Sequence, residues 1–193
     1  MSELPRVTEI LRAYSEYGNV PPDILHRAAA RGTSVHALCA GIAKDSWVPD
    51  SCIKEDELPY VNSFRVWKED SVKEFILIEK RLQDTELKYT GQIDMVIEGK
   101  DGHKYLVDLK TSSKPQKTYP LQMAAYRNLL HCEGYVVKGV FLVYLQKDGK
   151  PPKTQYLEDT THEFDIFRSA LSTWHYFNSA VRTSNNFNTK RVT

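Results

Sequence analysis

Gly91-Gln-Ile-Asp94, Lys104-Tyr-Leu-Val-Asp-Leu-Lys110 and Gln122-Met-Ala-Ala-Tyr126 follow one another within a short span of the chain, and their reading decides the fold. Tyr89 to Glu98 and Lys104 to Lys110 carry strand signals. Gly99-Lys-Asp-Gly102 supplies the turn chemistry between them. A three-residue loop, Lys100-Asp101-Gly102 with Gly102 left-handed, pairs Gly99 with His103. Counting back, it sets Asp94 opposite Asp108 on one face. A two-residue loop would instead turn Asp94 to the other face. Asp108 and Lys110 share a face with Leu106, while Tyr105, Val107 and Leu109 point the other way, into the main core. Facing carboxylates repel, and a divalent cation between them relieves the repulsion. Their oxygens suit a hard cation, and an ammonium beside them stabilises charge on a phosphate or a bound hydroxide. The set suits metal-assisted cleavage of a phosphodiester.

Upstream, Thr8 is expected to cap a short helix to about Tyr14, ended by Gly18 and Asn19. Pro21-Pro22-Asp23 opens a second helix, which Arg31-Gly32 interrupts. Thr33 then reads as the N-cap of a third helix running to about Lys44. His36 falls in its first turn, where the helix N-terminus disfavours imidazolium and favours a neutral, ligand-competent ring. Residues 45–57 are polar and read as a loop, and Leu58 to Glu69 as a helix carrying Tyr60, Phe64 and Trp67. The pattern changes at Lys73: Phe75 to Glu79 is a strand signal, and Glu79 near its end is a further candidate carboxylate.

Downstream, Thr111 to Thr118 is a polar loop. Pro120 starts a helix that reaches Cys132 and ends at Gly134. Gln122 and Tyr126, four apart, share a face that overhangs the strand before it. Gly139 to Leu145 reads as a buried strand and Thr154 to Leu157 as a weaker one. A last helix, about Glu163 to Arg182, spaces Phe164, Phe167, Leu171, Trp174 and Phe177 for core packing. The predicted fold is α/β, a central mixed sheet flanked by helices, with an antiparallel meander from Phe75 to Lys110 because its connections are too short for crossovers. One domain is expected over residues 1–182: N-terminal helices over 5–70, a sheet core over 73–158 and the helix over 163–182. The Asn-rich, basic tail 183–193 is expected to be mobile.

Composition bounds the class. The chain has 193 residues, 41% of them hydrophobic and 11% aromatic, enough to build a core. The net charge of +1 neither selects nor excludes a polyanionic partner, because acidic metal ligands offset a basic groove. Five lysines lie between Lys100 and Lys117, and Lys114 and Lys117, directly after the strand, are candidate phosphate contacts. The three cysteines, Cys39, Cys52 and Cys132, are dispersed and lack CxxC spacing; they read as reduced thiols, with Cys39 in the core. No leader-like N-terminus and no apolar run of spanning length occurs, so a soluble, cytoplasmic or otherwise reducing location is expected, without membrane contact.

Each residue has a plainer reading on its own. Asp108 and Lys110 alone would be an ion pair on an exposed strand. Asp94 would be a surface residue, Gln122 a polar helix position and Tyr126 a core aromatic. Read jointly, they favour a metal site. His26, His103, His131, His162 and His175 have no ligand spacing and read as structural or surface residues.

The ordered set His36, Gly91-x-x-Asp94, Asp108-x-Lys110 and Gln122-x-x-x-Tyr126 resembles the PD-(D/E)XK nuclease superfamily. It is most similar to the RecB-type branch, with its phage recombination exonucleases and mitochondrial single-strand exonucleases. The resemblance covers His36 to about Leu145 and implies a restriction-endonuclease-like αβββαβ core. It implies that Asp94, Asp108 and the Leu109 backbone carbonyl bind Mg²⁺ or Mn²⁺, one ion or two, and that His36 completes the shell. It implies that Lys110 orients the attacking water, and that Gln122 and Tyr126 support the site and hold the nucleic-acid strand. The implied function is a DNA exonuclease of recombination or repair, phage-like in its small size. A metal-dependent RNase and an idle nucleic-acid-binding module remain the alternatives. Some relatives form rings around DNA, so a homo-oligomer or a recombination partner protein stays open. The sequence departs from the branch at Ala40, where a glutamate often stands. Three dispersed cysteines argue against an iron–sulfur cluster, and no G-x-x-x-x-G-K-[ST] motor motif is present.

Overall fold

The computed structural model describes residues 4–16, 20–112 and 114–178. Helix α1, Val7–Leu11, continues as a 3-10 turn to Tyr14. Thr8 is inside it and not its cap; the Arg6 backbone N–H donates to Glu9 Oε2 at 3.5 Å. Helix α2, Pro22–Ala43, is continuous where the sequence predicts a break at Gly32. Thr33 sits within it, its hydroxyl donating to the Ala29 carbonyl, and His36 therefore lies mid-helix rather than at an N-terminus. Gly32 has a tertiary reason: a Cβ there would stand 3.3 Å from Thr111 Oγ1, so the missing side chain lets α2 approach the end of the third strand.

Helix α3, Leu58–Ser71, leads into β1, Val72–Asp84. Strands β2, Tyr89–Gly99, and β3, Lys104–Lys110, complete the antiparallel meander. Helix α4, Thr118–Cys132, crosses over to β4, Gly139–Tyr144, which runs parallel to β3. It starts two residues before Pro120, which falls in its first turn, where its missing N–H costs nothing. It ends as expected: Gly134 has φ +80°, and the Tyr135 N–H reaches back to the Leu130 carbonyl at 2.9 Å. Strand β5, Lys153–Leu157, pairs antiparallel with β4, and α5, Thr161–Asn178, follows. The expected continuation of this last helix to Arg182, and the tail 183–193, lie outside the described residues.

The sheet order is β1-β2-β3-β4-β5, with helices on both faces, which bears out the α/β, restriction-endonuclease-like architecture. Because both faces are covered, β3 and β4 are buried almost throughout. The larger core lies on the Leu106 side, with Val96, Val140 and Leu142 packed against residues of α1, α4 and α5. Tyr105, Val107 and Leu109 face the smaller cluster with α2 and α3, not the main core as the sequence reading has it. On α5, Phe167 and Leu171 are buried as expected, but Phe177 is exposed.

Candidate functional site

The β2–β3 turn sets the register. The Gly99 N–H donates to the His103 carbonyl at 2.8 Å, and Gly102 has φ +79°, as the three-residue loop requires. The last paired residues are Met95 and Val107, so Asp94 and Asp108 stand opposite one another one step beyond the ladder. There the strands give up regular pairing. The Leu109 N–H donates to Asp94 Oδ2 at 2.7 Å, and Glu79, in the corresponding position of β1, has φ +53°. Along β2, Ile93 belongs to the core on the α4 side and Met95 to the core on the α2 side, so the facing of side chains slips at Asp94.

Two linked groups of side chains result. In the first, His36 Nδ1 lies 3.1 Å from Asp94 Oδ1, and one ligand atom each of His36, Glu79 and Asp94 falls within 4.8 Å of the others. Glu79 also accepts a hydrogen bond from Gln92. In the second, Lys110 Nζ lies 2.7 Å from Asp108 Oδ2, a buried oxygen with no other partner among the described residues. Gln122 joins this pair to α4. Its Oε1 accepts from Lys110 at 3.0 Å, and its Nε2 donates to Asp108 Oδ1 at 3.2 Å and to the Tyr126 hydroxyl at 3.1 Å. The Lys110 ammonium also sits 4.1 Å from the centroid of the Tyr119 ring.

The electrostatics separates the two aspartates. Burial resists ionisation of Asp94, but the charge and hydrogen bond of His36 and the Leu109 amide together hold its carboxyl below the usual range. Burial acts on Asp108 too, and the Asp94 charge adds to it, so Asp108 is pushed up although Lys110 opposes this. Burial disfavours the His36 imidazolium, yet the Asp94 carboxylate outweighs it and raises the ring to about 9. The helix-terminus argument for a neutral imidazole fails, because the controlling charge is Asp94. Cys39 is buried in the smaller core, as expected, and burial pushes its thiol up.

The His36, Glu79 and Asp94 set fits a hard divalent cation, two carboxylates with one imidazole, and Asp108 stands outside it, its Oδ2 meeting only the Lys110 ammonium among the described residues. Of the sequence candidates, His36, Glu79, Asp94, Asp108, Leu109, Lys110, Gln122 and Tyr126 all line one cleft of about 1560 Å³. In Leu109 it is the amide N–H that the fold engages, on Asp94. Lys114 and Lys117 are exposed and do not line the cleft; their nearness to the site is in sequence alone. Besides Lys110, the basic lining comes instead from Arg6 before α1, Arg31 and Lys44 in α2 and at its end, Arg81 on β1 and Lys147 after β4, which no local pattern connects. Tyr119 was also missed. It lies three residues before Gln122 on the same helix face, and a helix started at Pro120 leaves it out.

Gln122→Leu keeps the volume and removes three hydrogen bonds. It is expected to lower the turnover of nucleic-acid cleavage by about 10- to 100-fold, the usual cost of losing a residue that orients those at the centre, with a melting temperature within a few degrees of wild type. Turnover and thermal melting of the purified variant check this.

The sequence profile of the PD-(D/E)XK nuclease superfamily matches residues 10–185, a span from within α1 to beyond α5. No curated protein sequence matches the chain. Among 21 matching solved chains is one described as "Crystal structure of SSO0001", at 17% identity and a TM-score of 0.40, with 65% of this chain aligned to 60% of that one. The chain thus spans less than two thirds of that protein's length. Its sheet order, its flanking helices and the profile match over nearly its whole length agree, and the chain belongs to the PD-(D/E)XK nuclease superfamily.

Proposed function

We propose that this protein is a divalent-metal-dependent nuclease that hydrolyses DNA, working as an exonuclease in recombination or repair. The observation that carries the reading is the convergence of Asp94, Asp108 and Lys110 at the end of the β2–β3 ladder, open to a cleft with basic residues in its lining. Asp94 and Asp108 would hold Mg²⁺ or Mn²⁺, joined by His36, Glu79 and the Leu109 carbonyl. When bound, the cation supplies an acidified water and neutralises phosphate charge. Lys110, fixed by Gln122 and Tyr119, holds its ammonium where it orients the water and stabilises the pentavalent phosphorus. Water adds to phosphorus, the bond to the leaving oxygen breaks, and that oxygen takes a proton, giving a phosphate monoester and an alcohol. Arg31, Lys44, Arg81 and Lys147 would meet the backbone phosphates.

Labelled single-stranded DNA, duplex DNA and RNA test this. Wild type with Mn²⁺ or Mg²⁺ is expected to degrade DNA, progressively from an end. Excess EDTA is expected to stop it completely, and renewed Mn²⁺ to restore it. Binding without degradation would favour an idle module on the same fold, and degradation of RNA alone would favour an RNase.

A further inference from the structure

Strands β1 and β2 lose their pairing at one step. The ladder holds Ile78↔Met95 and Lys80↔Ile93, and Glu79 and Asp94 fall between these pairs. Regular pairing continues beyond, with Arg81 directly opposite Gln92. Glu79 has φ +53°, a strained backbone for a residue with a side chain, kept only where the surroundings impose it. That backbone brings the Glu79 carboxylate near His36 and Asp94. It does not fix the carboxylate there, because a half-buried glutamate keeps several side-chain rotamers. Among the described residues, the one side chain that hydrogen-bonds Glu79 is Gln92, its diagonal neighbour across the two strands.

The Gln92 amide is engaged at both ends. Its Nε2 donates to Glu79 Oε2, and its Oε1 accepts from Arg81 Nε at 3.1 Å. A guanidinium can only donate and a carboxylate can only accept. Turned over, the amide would set oxygen against oxygen on one side and N–H against N–H on the other. The two charged neighbours therefore hold it one way round. The other half of the site is built alike: Gln122 accepts from Lys110 and donates to Asp108. Each amide stands between a cation and a carboxylate, one on α4 and one on β2. We propose that Gln92 is a positioning residue: its amide, oriented by Arg81, holds the Glu79 carboxylate toward the cation that His36, Glu79 and Asp94 would share. The inference rests on the metal-holding part of the reading above and adds a residue to it. Gln92 acts through Glu79 alone.

The test separates metal binding from cutting. Calorimetry measures Mn²⁺ binding without nucleic acid. Gln92→Leu keeps the length of the side chain and removes both hydrogen bonds. It is expected to weaken Mn²⁺ binding about 10-fold or more, the usual loss when the residue that orients a ligand is removed. Its melting temperature in EDTA is expected to stay with wild type, because Gln92 is exposed. Glu79→Gln is expected to weaken Mn²⁺ binding as well. Adding Gln92→Leu to it is expected to cost no more than about 2-fold further, because residues acting through one contact do not add. Unchanged Mn²⁺ affinity in Gln92→Leu overturns the proposal. So does a full second loss in the double variant, which would mean that Gln92 acts on something other than Glu79. Cutting of labelled DNA is scored separately. Wild type that cuts DNA, with Mn²⁺ binding indifferent to Gln92, defeats this inference alone. Mn²⁺ binding that depends on Gln92, with no degradation of any nucleic acid, defeats the nuclease reading and leaves the positioning role standing. No Mn²⁺ binding by wild type defeats both.

Discussion

Asp108→Asn and Lys110→Met are each expected to reduce nucleic-acid hydrolysis by about 10²- to 10³-fold, the scale on which charge-stabilising groups act in a transition state. Their effects on folding are expected to differ, and that difference tests the charge arrangement independently of activity. Lys110→Met removes the ammonium that lies against Asp108 Oδ2 and leaves the buried Asp108 carboxyl facing the half-buried Asp94. Uncompensated buried charge of this kind costs about 3–5 kcal/mol. Asp108→Asn removes one of the two like charges. Its side chain can still accept from Gln122, and Lys110 keeps Gln122 and the Tyr119 ring. Thermal melting in EDTA is expected to rank wild type and Asp108→Asn well above Lys110→Met. Added Mg²⁺ is expected to raise Lys110→Met most, because there it replaces the positive charge that Lys110 sets against Asp108. Equal melting of the two variants in EDTA would mean that Asp94 and Asp108 do not sense each other.

Gly91→Ala is expected to damage stability and activity together, although Gly91 carries no chemistry. A Cβ at this position would stand 2.6 Å from Tyr126 Cε1 and 3.0 Å from Leu129 Cδ1. Both side chains are buried on α4, so neither can swing into solvent. Crowding of this kind costs about 1–3 kcal/mol, and a protein of this size loses about 2–4 °C of melting temperature per kcal/mol. The displaced Tyr126 takes with it the hydroxyl that accepts from Gln122, and Gln122 in turn holds Asp108 and Lys110. Gly139→Ala is the control. Its Cβ would meet the Tyr156 ring at 2.5 Å, but Tyr156 is 40% exposed on an edge strand and has room to move. Its stability loss is expected to be the smaller, and its turnover to stay near wild type. Melting curves and steady-state rates of the two variants decide the comparison.

The hairpin was legible because its physics is local: Gly102 specifies the turn, the turn specifies the register, and the register sets Asp94 across from Asp108. The sequence could not give what depends on distant packing. Gly32 reads as a helix breaker, yet it is kept inside α2 because Thr111 needs the space. The two faces of β3 were told apart correctly, but which covers the larger core depends on where α4 and α5 dock. His36 is legible by pattern and does reach Asp94, but its charge is not, because it lies in the middle of α2 and not at a helix end. Lys114 and Lys117 were chosen for proximity in sequence, whereas the arginines and lysines of the cleft come from elements far apart along the chain.

The left-handed backbone at Glu79 carries a consequence outside the site. Strand β1 is one of the two edges of the sheet and 13 residues long, the kind of free border on which a second chain could add a strand and start an aggregate. A residue at positive φ breaks the row of amides and carbonyls such a guest would need, and the charged neighbours Lys80 and Arg81 discourage it further. The distortion that brings Glu79 close to His36 and Asp94 therefore also makes the β1 margin a poorer template for copies of itself.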